Sequence, residues 1–297
     1  MRWGAERGEG YPVPDVADDL VWRFGSYSLP CGERTHVMGI VNVTPDSFSD
    51  GGRFFDPEDA VREGMAMVEA GADLVDVGGE STRPGSEPVS IEEELRRILP
   101  VVKRMAAEVD VPVSIDTRRA EVARAALDAG AAVVNDVTAG RDPEMFEMVG
   151  EADAGMVLMH MLGDPKTMQD EPRYDDVVRE VRDFLAERVA AAESAGIERE
   201  HLCVDPGLGF GKTLQHNLLL MRHIGALAEI GRPVLVGPSR KSFVGRITGA
   251  ELDERLEGTA GAVAWLVANG AHVVRVHDVA AMVRVVRMVD SIRMTDG

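Results

Sequence analysis

Three consecutive segments decide the fold of this chain: LVDVG at Leu74–Gly78, IEEELRRILPVV at Ile91–Val102, and VSID at Val113–Asp116. Short runs rich in Val, Ile and Leu are typical of strands that are buried on both faces of a parallel sheet. The apolar residues of the middle segment recur at the 3.6-residue period of a helix, and its charged residues lie between them. The three segments therefore predict a strand, a helix and a second, parallel strand.

The same alternation continues along the chain after Thr35. Eight apolar runs are each separated by a segment of helix length, in the order VMGIV, LVDVG, VSID, VVND, MVLMH, LCVD, VLVG and VVRVHD. Helix starts support this division, because Ser90 and Glu93 have the spacing of a capping box. Eight strand–helix units predict a (β/α)8 TIM barrel, and a doubly wound open sheet is the alternative.

The domain organisation follows from where the alternation begins. Residues 35–297 are predicted to form one barrel domain, since α/β barrels use roughly 250 residues as a single unit. Residues 1–34 lie outside the repeat and are predicted to be a partly flexible N-terminal extension. The run Val21-Trp22-Arg23-Phe24 is expected to form a short strand or a plug under the barrel.

The composition excludes several classes of partner. The chain has 51 acidic against 32 basic residues, a formal net charge of −19, which disfavours nucleic acid and anionic membranes. No apolar stretch of about 18 residues is present, and the N-terminus lacks the apolar core of a secretory signal. Two cysteines provide no disulfide framework, so we expect a reduced, cytoplasmic protein.

The basic residues have an unusual distribution. Only Lys103, Lys166, Lys212 and Lys241 are lysines, and every other basic residue is arginine. A surface rich in carboxylates and poor in lysine predicts adaptation to high salt, where screening relaxes the repulsion between like charges. An ordinary acidic protein is the alternative interpretation.

Polar side chains lie at the carboxyl end of every predicted strand of the barrel. Because active sites of (β/α)8 barrels lie at the carboxyl ends of the strands, these side chains predict one shared site. The strand ends carry, in chain order, Asn42, Glu80, Asp116, Asn135, His160, Asp205, Lys241 and the pair Arg275 and His277. Glycine-rich loops after the first two strands are predicted to be mobile lids over this site.

The residue types at this rim indicate a ligand with two parts. Asp116, Asn135 and Asp205 offer acceptors and a donor that suit a planar heterocycle carrying both N–H groups and acceptors. The last two strands supply Lys241, Arg275 and His277, expected as cationic donors for a phosphate or diphosphate. We further expect Asn42 to position an oxyanion or a hydrated Mg²⁺.

One glycine-rich segment is a misleading motif. Residues 207–213, GLGFGKT, resemble a phosphate-binding Walker A loop, but Pro206 occupies the position that requires the first glycine. The dinucleotide pattern GxGxxG also fails there, because Lys212 replaces the last glycine. Zinc-ligand spacings and the serine-hydrolase motif GxSxG are absent from the sequence.

Five blocks of sequence carry a resemblance to a known family. Gly39–Gly52 and Asp76–Gly85 are similar to the first and second signatures of the dihydropteroate synthase family of pterin-binding enzymes. The later blocks match in order and spacing, at Asp205–Gly207, Ser239–Ser242 and Arg275–Asp278. The chain departs from the usual pattern at Pro238, whose ring removes a backbone donor next to the fourth block.

The resemblance implies a (β/α)8 transferase of folate synthesis. Such an enzyme joins 6-hydroxymethyl-7,8-dihydropterin diphosphate to 4-aminobenzoate and releases diphosphate with the help of Mg²⁺. A homodimer formed through the late barrel helices would fit the family.

The resemblance also implies residue roles, which are expectations at this point. The pterin would be held by Asp116, Asn135, Asp205 and Lys241, of which Asp116 and Lys241 are the expected catalytic residues. The diphosphate would be held by Asn42, Arg275 and His277, and Asn42 would also contact the metal. The aminobenzoate pocket would be formed by Phe48, Thr82, Arg83 and Ser242.

Two other readings remain open from the sequence. A pterin-binding methyltransferase domain would share the Asp116, Asn135 and Asp205 set but would need no diphosphate-binding residues. The presence of Asn42, of the first glycine-rich loop, and of the blocks at Ser239–Ser242 and Arg275–His277 argues against it. A pterin-binding protein without catalytic activity is the second alternative.

Overall fold

The computed structural model describes residues 20–44, 57–81, 86–164 and 166–295. Eight parallel strands form its central sheet: β3 (His36–Asn42), β4 (Leu74–Gly78), β5 (Val113–Asp116), β6 (Val133–Asp136), β7 (Gly155–Met159), β8 (Leu202–Asp205), β9 (Leu235–Val236) and β10 (Val273–Val276). Strand β3 pairs with both β4 and β10, and a parallel bridge between Val204 and Val234 joins the two ends of the sheet. The predicted (β/α)8 barrel is confirmed.

Helices follow the strands around the outside of the barrel. They are α1 (Pro57–Glu69), α2 (Ile91–Glu108), α3 (Ala120–Asp128), α4 (Met145–Glu151), α5 (Val177–Ser194), α6 (Leu214–Arg222), α7 (Ser242–Thr248), α8 (Leu256–Ala268) and α9 (Val279–Arg293). Within the residues described, strand β9 is followed by both α7 and α8, and every other strand of the barrel is followed by one α-helix. None of the helices that the structure describes is long and apolar enough to cross a membrane.

The start of α2 differs from the predicted capping box. The Ser90 hydroxyl accepts a hydrogen bond from the Glu93 backbone N–H at 3.2 Å, as expected of an N-cap. The Glu93 carboxylate does not return to Ser90, because it accepts hydrogen bonds from Arg96 and Arg97, each at 2.7 Å. Two guanidinium groups give the carboxylate charged donors, whereas the box would have given it one neutral backbone donor.

A hairpin covers the bottom of the barrel, at the amino ends of its strands. Strands β1 (Val21–Phe24) and β2 (Tyr27–Pro30) pair antiparallel. Trp22 and Phe24 are completely buried there, and the Trp22 indole N–H donates to the His201 carbonyl at 2.8 Å. Their apolar cluster includes residues of seven barrel strands: Met38, Leu74, Val133, Val157, Cys203, Leu235 and Val273. The hairpin fills this end, and the candidate site lies at the opposite rim.

Candidate active site

Strand register places four sequence positions side by side at the rim. Asn42 pairs with Gly78, Gly78 with Asp116, and Asp116 with Asn135, across four neighbouring strands. Parallel strands in register present equivalent positions at one level of a barrel. Two of the predicted pterin residues and the predicted metal ligand therefore share one layer of the site.

A residue absent from the predicted set connects this layer. Asp76 on β4 is fully buried, and its Oδ2 accepts hydrogen bonds from Asn135 Nδ2 at 2.9 Å and from Arg275 Nε at 2.6 Å. The other end of the Arg275 guanidinium donates to Asp116 Oδ2 at 2.8 Å. Arg275 thus bridges two carboxylates, whereas we had expected its charge to serve the diphosphate. Its diphosphate role stays a prediction.

These contacts leave hydrogen-bond acceptors available for a ligand. Because the Asp76 carboxylate requires donors, the Asn135 amide must direct its NH₂ group to Asp76, which reserves its Oδ1 as an acceptor. Asn135 Oδ1 and Asp76 Oδ1 are buried and have no hydrogen-bond partner among the described residues. An unsatisfied buried polar atom costs about 1–3 kcal/mol, so a ligand carrying N–H donors would recover that energy.

The two carboxylates predicted to bind the heterocycle have perturbed acidities. Burial raises the pKa of Asp116 to about 7, against the opposing charge of Arg275. Burial likewise raises the pKa of Asp205 to about 6, although its Oδ1 accepts a hydrogen bond from the Gly207 N–H at 2.7 Å. Perturbed carboxylates grouped in one cleft are typical of functional sites.

Lys241 is positioned by an aromatic ring and a tight turn. Its ammonium lies 4.0 Å from the centroid of the Phe210 ring, a cation–π arrangement. The backbone N–H of Lys241 donates to the Pro238 carbonyl at 3.3 Å, so the chain turns here despite the donor that proline lacks. Arg240, at φ +55°, forms a two-pronged ion pair with Asp278 at 2.6 and 3.0 Å. The loops after β9 and β10 are thereby joined.

His277 does not have the charge that we expected. Its Nδ1 lies 2.9 Å from the Ser239 hydroxyl, and burial together with nearby Arg275 and Arg240 lowers its pKa to about 3. At neutral pH the imidazole is therefore uncharged and offers a neutral N–H rather than a cation. A neutral donor is therefore expected here in place of a third cation, because burial first and then the Arg275 and Arg240 charges depress this pKa.

The remaining predicted residues are only partly placed. Asn42 is half-buried at the end of β3, and Ser242 is exposed at the first position of α7. Phe48, Thr82 and Arg83, predicted for the aminobenzoate pocket, lie outside the described residues. Within the described part of the chain no three His, Cys, Asp or Glu side chains form a cluster that could hold a metal ion.

Sequence reasoning missed Asp76 and Phe210. Asp76 had a usable signal, since it is the single charged residue within the buried run LVDVG, and a buried charge requires a partner. Phe210 had none, because one aromatic residue in a glycine-rich loop does not reveal which cation it will contact.

Comparisons with known proteins agree with this geometry. Residues 38–277 match the family described as "Pterin binding enzyme". A dihydropteroate synthase of Synechocystis sp. is 46% identical over 263 residues, which cover 88% of this chain and 91% of that protein. The solved dihydropteroate synthase of Xanthomonas albilineans with 4-aminobenzoic acid has a TM-score of 0.85 and 48% identity, over 91% of this chain and 96% of that one.

A second structure from Xanthomonas albilineans, in complex with 7,8-dihydropteroate, has a TM-score of 0.82 and 44% identity. The aligned region covers 91% of this chain and 98% of the Xanthomonas albilineans chain. The family match extends from β3 to the His277 position of the rim, so it includes every strand of the barrel. This chain belongs to the pterin-binding enzyme family.

Proposed function

We propose that this chain is a dihydropteroate synthase, a transferase of folate synthesis. It condenses 6-hydroxymethyl-7,8-dihydropterin diphosphate with 4-aminobenzoate and releases diphosphate. The observation that carries the proposal is the buried group of acceptors around Asp76, Asn135 and Asp205 with the cations Arg275 and Lys241 beside it. The similarity to enzymes solved with 4-aminobenzoic acid and with 7,8-dihydropteroate supports it.

The pterin is the part of the substrate that the strand ends would hold. Its ring N–H and amino groups would donate to Asp205 and to the reserved oxygen of Asn135, while Lys241 donates to a ring acceptor. Asp116, next to Asn135 in the sheet register, would lie near the reacting end of the ring system. A carboxylate there stabilises positive charge on the pterin methylene as the leaving group departs.

The diphosphate would be bound by Asn42, Arg275 and His277, the last through its neutral N–H. A single amide oxygen fits a Mg²⁺ that arrives with the substrate, because Mg²⁺ keeps several waters and takes few protein ligands when phosphates complete its coordination. When bound, the ion neutralises charge on the leaving diphosphate. Arg275 has a second task, since it already neutralises Asp76 and Asp116.

The reaction itself requires little covalent chemistry from the protein. The arylamine nitrogen attacks the methylene carbon, the carbon–oxygen bond to diphosphate breaks, and the nitrogen loses a proton. Phe48, Thr82, Arg83 and Ser242 are proposed for the arylamine on the family resemblance alone. Orientation of two substrates and stabilisation of separating charges would account for the catalysis.

Release of diphosphate from the two substrates together is the deciding measurement. A dihydropteroate synthase releases diphosphate only when both the pterin diphosphate and 4-aminobenzoate are present, and it forms 7,8-dihydropteroate in equal amount. Pterin binding without turnover would identify a non-catalytic binding protein. Binding of a pterin that lacks the diphosphate, with methyl transfer from it, would favour the methyltransferase reading.

We also propose that the enzyme is a cytoplasmic homodimer. Both cysteines are free thiols, as is usual in a reducing compartment. Helices α6, α7 and α8 form an apolar groove that includes Phe243, Ile247 and Trp265, and the last two side chains are about half exposed. Exposed apolar patches of this kind mark protein interfaces, and a twofold dimer would bury the groove of each copy.

A further inference from the structure

The glycine-rich segment 207–212 between β8 and α6 is not a phosphate loop, and its structure indicates another use. Gly207 and Gly211 have φ of +66° and +63°, in the left-handed region that favours glycine. A Cβ added at Gly207 would lie 2.0 Å from the His160 carbonyl oxygen, and one at Gly211 would lie 2.6 Å from Leu162 Cβ. The segment therefore packs its backbone directly against the chain that follows β7.

Lys212 ends this segment with its side chain buried inside the protein. Only 3% of the residue is exposed, and its Nζ lies 2.9 Å from His160 Nδ1, 2.9 Å from the Phe210 carbonyl and 3.3 Å from the His160 carbonyl. Burial, and then the charge of Lys212, lowers the pKa of His160 to about 3, so its imidazole is neutral and accepts through Nδ1. Burial also lowers the pKa of Lys212 to about 7, so the amine is fully an ammonium, with three donors for these three acceptors, below neutral pH.

These hydrogen bonds determine where Phe210 lies. Lys212 Nζ donates one hydrogen bond to the Phe210 carbonyl and two to His160. Lys212 therefore holds the Phe210 backbone at a fixed distance from the end of β7. The Phe210 ring then lies under the Lys241 ammonium, and a Cβ at Gly209 would be only 3.2 Å from Lys241 Cδ. Displacement of this segment would therefore move the support of a proposed pterin-binding residue.

The choice of lysine has a physical reason. The chain uses arginine for almost all of its basic positions, yet two of its four lysines are Lys212 and Lys241. An ammonium directs three donors from one point, whereas the guanidinium of arginine is a planar fork that suits two parallel acceptors. Three acceptors that converge on one buried atom require the ammonium.

We propose that Lys212 is a positioning residue of the pterin site, which it serves by fixing Phe210 beneath Lys241. This inference rests on the proposed function, because it assumes that the Lys241 side of the site binds the pterin. The hydrogen bonds of Lys212 itself go to His160 and Phe210, in the contact between the chain segments that follow β7 and β8.

The test is Lys212→Met, which keeps an unbranched side chain one atom shorter and removes the donors. Titration calorimetry with 6-hydroxymethylpterin should show affinity reduced about tenfold, the loss expected when hydrogen bonds from a charged group disappear. The KM for the pterin diphosphate should rise by about the same factor, and the KM for 4-aminobenzoate should stay within about twofold. The control Lys166→Met removes an exposed lysine paired with Glu87 and should change neither value.

A double-mutant cycle separates positioning from general destabilisation. If Lys212 acts through Phe210, the Lys212→Met change should cost less than about twofold in pterin affinity once Phe210→Leu is present. His160→Leu, which removes one acceptor and leaves the lysine, should weaken pterin binding in the same direction and serves if Lys212→Met does not fold. Equal losses in both backgrounds, or unchanged pterin affinity in Lys212→Met and His160→Leu, would overturn the proposal. A wild-type protein that binds no pterin would refute the proposed function instead.

Discussion

Replacing Asp205 by Asn should stabilise the ligand-free protein and weaken pterin binding at the same time. Burial raises the Asp205 pKa from 3.8 to about 6, so the folded protein holds this proton more tightly than the unfolded chain does. The stability contributed by that proton is present below pH 4 and is lost as the pH rises through 6. At pH 8 the protein therefore contains a buried carboxylate whose ionised form is unfavourable.

The size of the effect follows from the shift. One pKa unit corresponds to 1.36 kcal/mol, so a shift of about two units is worth about 3 kcal/mol of unfolding free energy at pH 8. An amide is uncharged at every pH and keeps an oxygen for the Gly207 N–H. The Asp205→Asn variant should therefore exceed the wild type by up to about 3 kcal/mol at pH 8 and by less at pH 5. Pterin binding should weaken, because the amide of the Asp205→Asn variant would turn an NH₂ group toward a pterin N–H that the carboxylate oxygen accepted from. Two donors that face each other cost about 1–3 kcal/mol.

Urea denaturation at pH 5 and pH 8 and calorimetry with 6-hydroxymethylpterin measure the two effects separately. Asp136→Asn is the matched control, because Asp136 is a buried strand-end carboxylate that accepts hydrogen bonds from Thr138 N–H, the Thr138 hydroxyl and Gly140 N–H. Burial raises the pKa of Asp136 as well, so this variant should share the pH dependence of stability, and it should keep its pterin affinity. An Asp205→Asn variant that is less stable than the wild type at pH 8, or that gains equally at both pH values, would refute the reasoning about burial. Unchanged pterin affinity would make Asp205 a purely structural residue.

Three further predictions concern the protein outside the site. The melting temperature should rise from low salt to molar KCl, because screening relieves the repulsion within a net charge of −19; a flat or falling curve would contradict salt adaptation. Trp22→Ala removes a fully buried side chain and should lower the unfolding free energy, measured by urea denaturation, by about 3–5 kcal/mol. Both KM values should stay within about twofold, and a larger change would show that the hairpin influences the rim. Ile247→Asp should convert a dimer to a monomer in sedimentation equilibrium, whereas Met288→Asp, at another exposed apolar position, should not. A monomeric wild type would contradict the dimer.

The fold could be predicted because it depends on patterns that are local in the sequence. Continuous apolar runs and 3.6-residue periodicity located the strands and helices, and parallel strand ends must meet at one rim. That rule placed Asn42, Asp116 and Asn135 in one layer without any knowledge of their contacts. The capping box predicted for α2 failed for a reason that is also local. The Glu93 carboxylate can accept either from the Ser90 backbone N–H or from Arg96 and Arg97, and it accepts from the two arginines.

The pairing of charges within the site could not be predicted in the same way. Asp76 and Arg275 are 199 residues apart, and nothing in either segment indicates the other. Their contact decides that Arg275 neutralises carboxylates and that Asn135 presents its oxygen. The same crowding of positive groups makes His277 neutral, a result that requires burial and neighbouring charges to be known together.

The hairpin at the bottom of the barrel has a consequence for the order in which the chain folds. It precedes every strand of the barrel in the sequence, yet its Trp22 donates to a carbonyl 179 residues further along, and its apolar cluster includes Leu235 and Val273 of the last two strands. During synthesis, Trp22 and Phe24 cannot reach their final environment until almost the whole barrel exists. Contacts so distant in sequence form late and slow the completion of folding. Burial of Trp22 therefore reports the assembly of the entire barrel, from its first strand to its last.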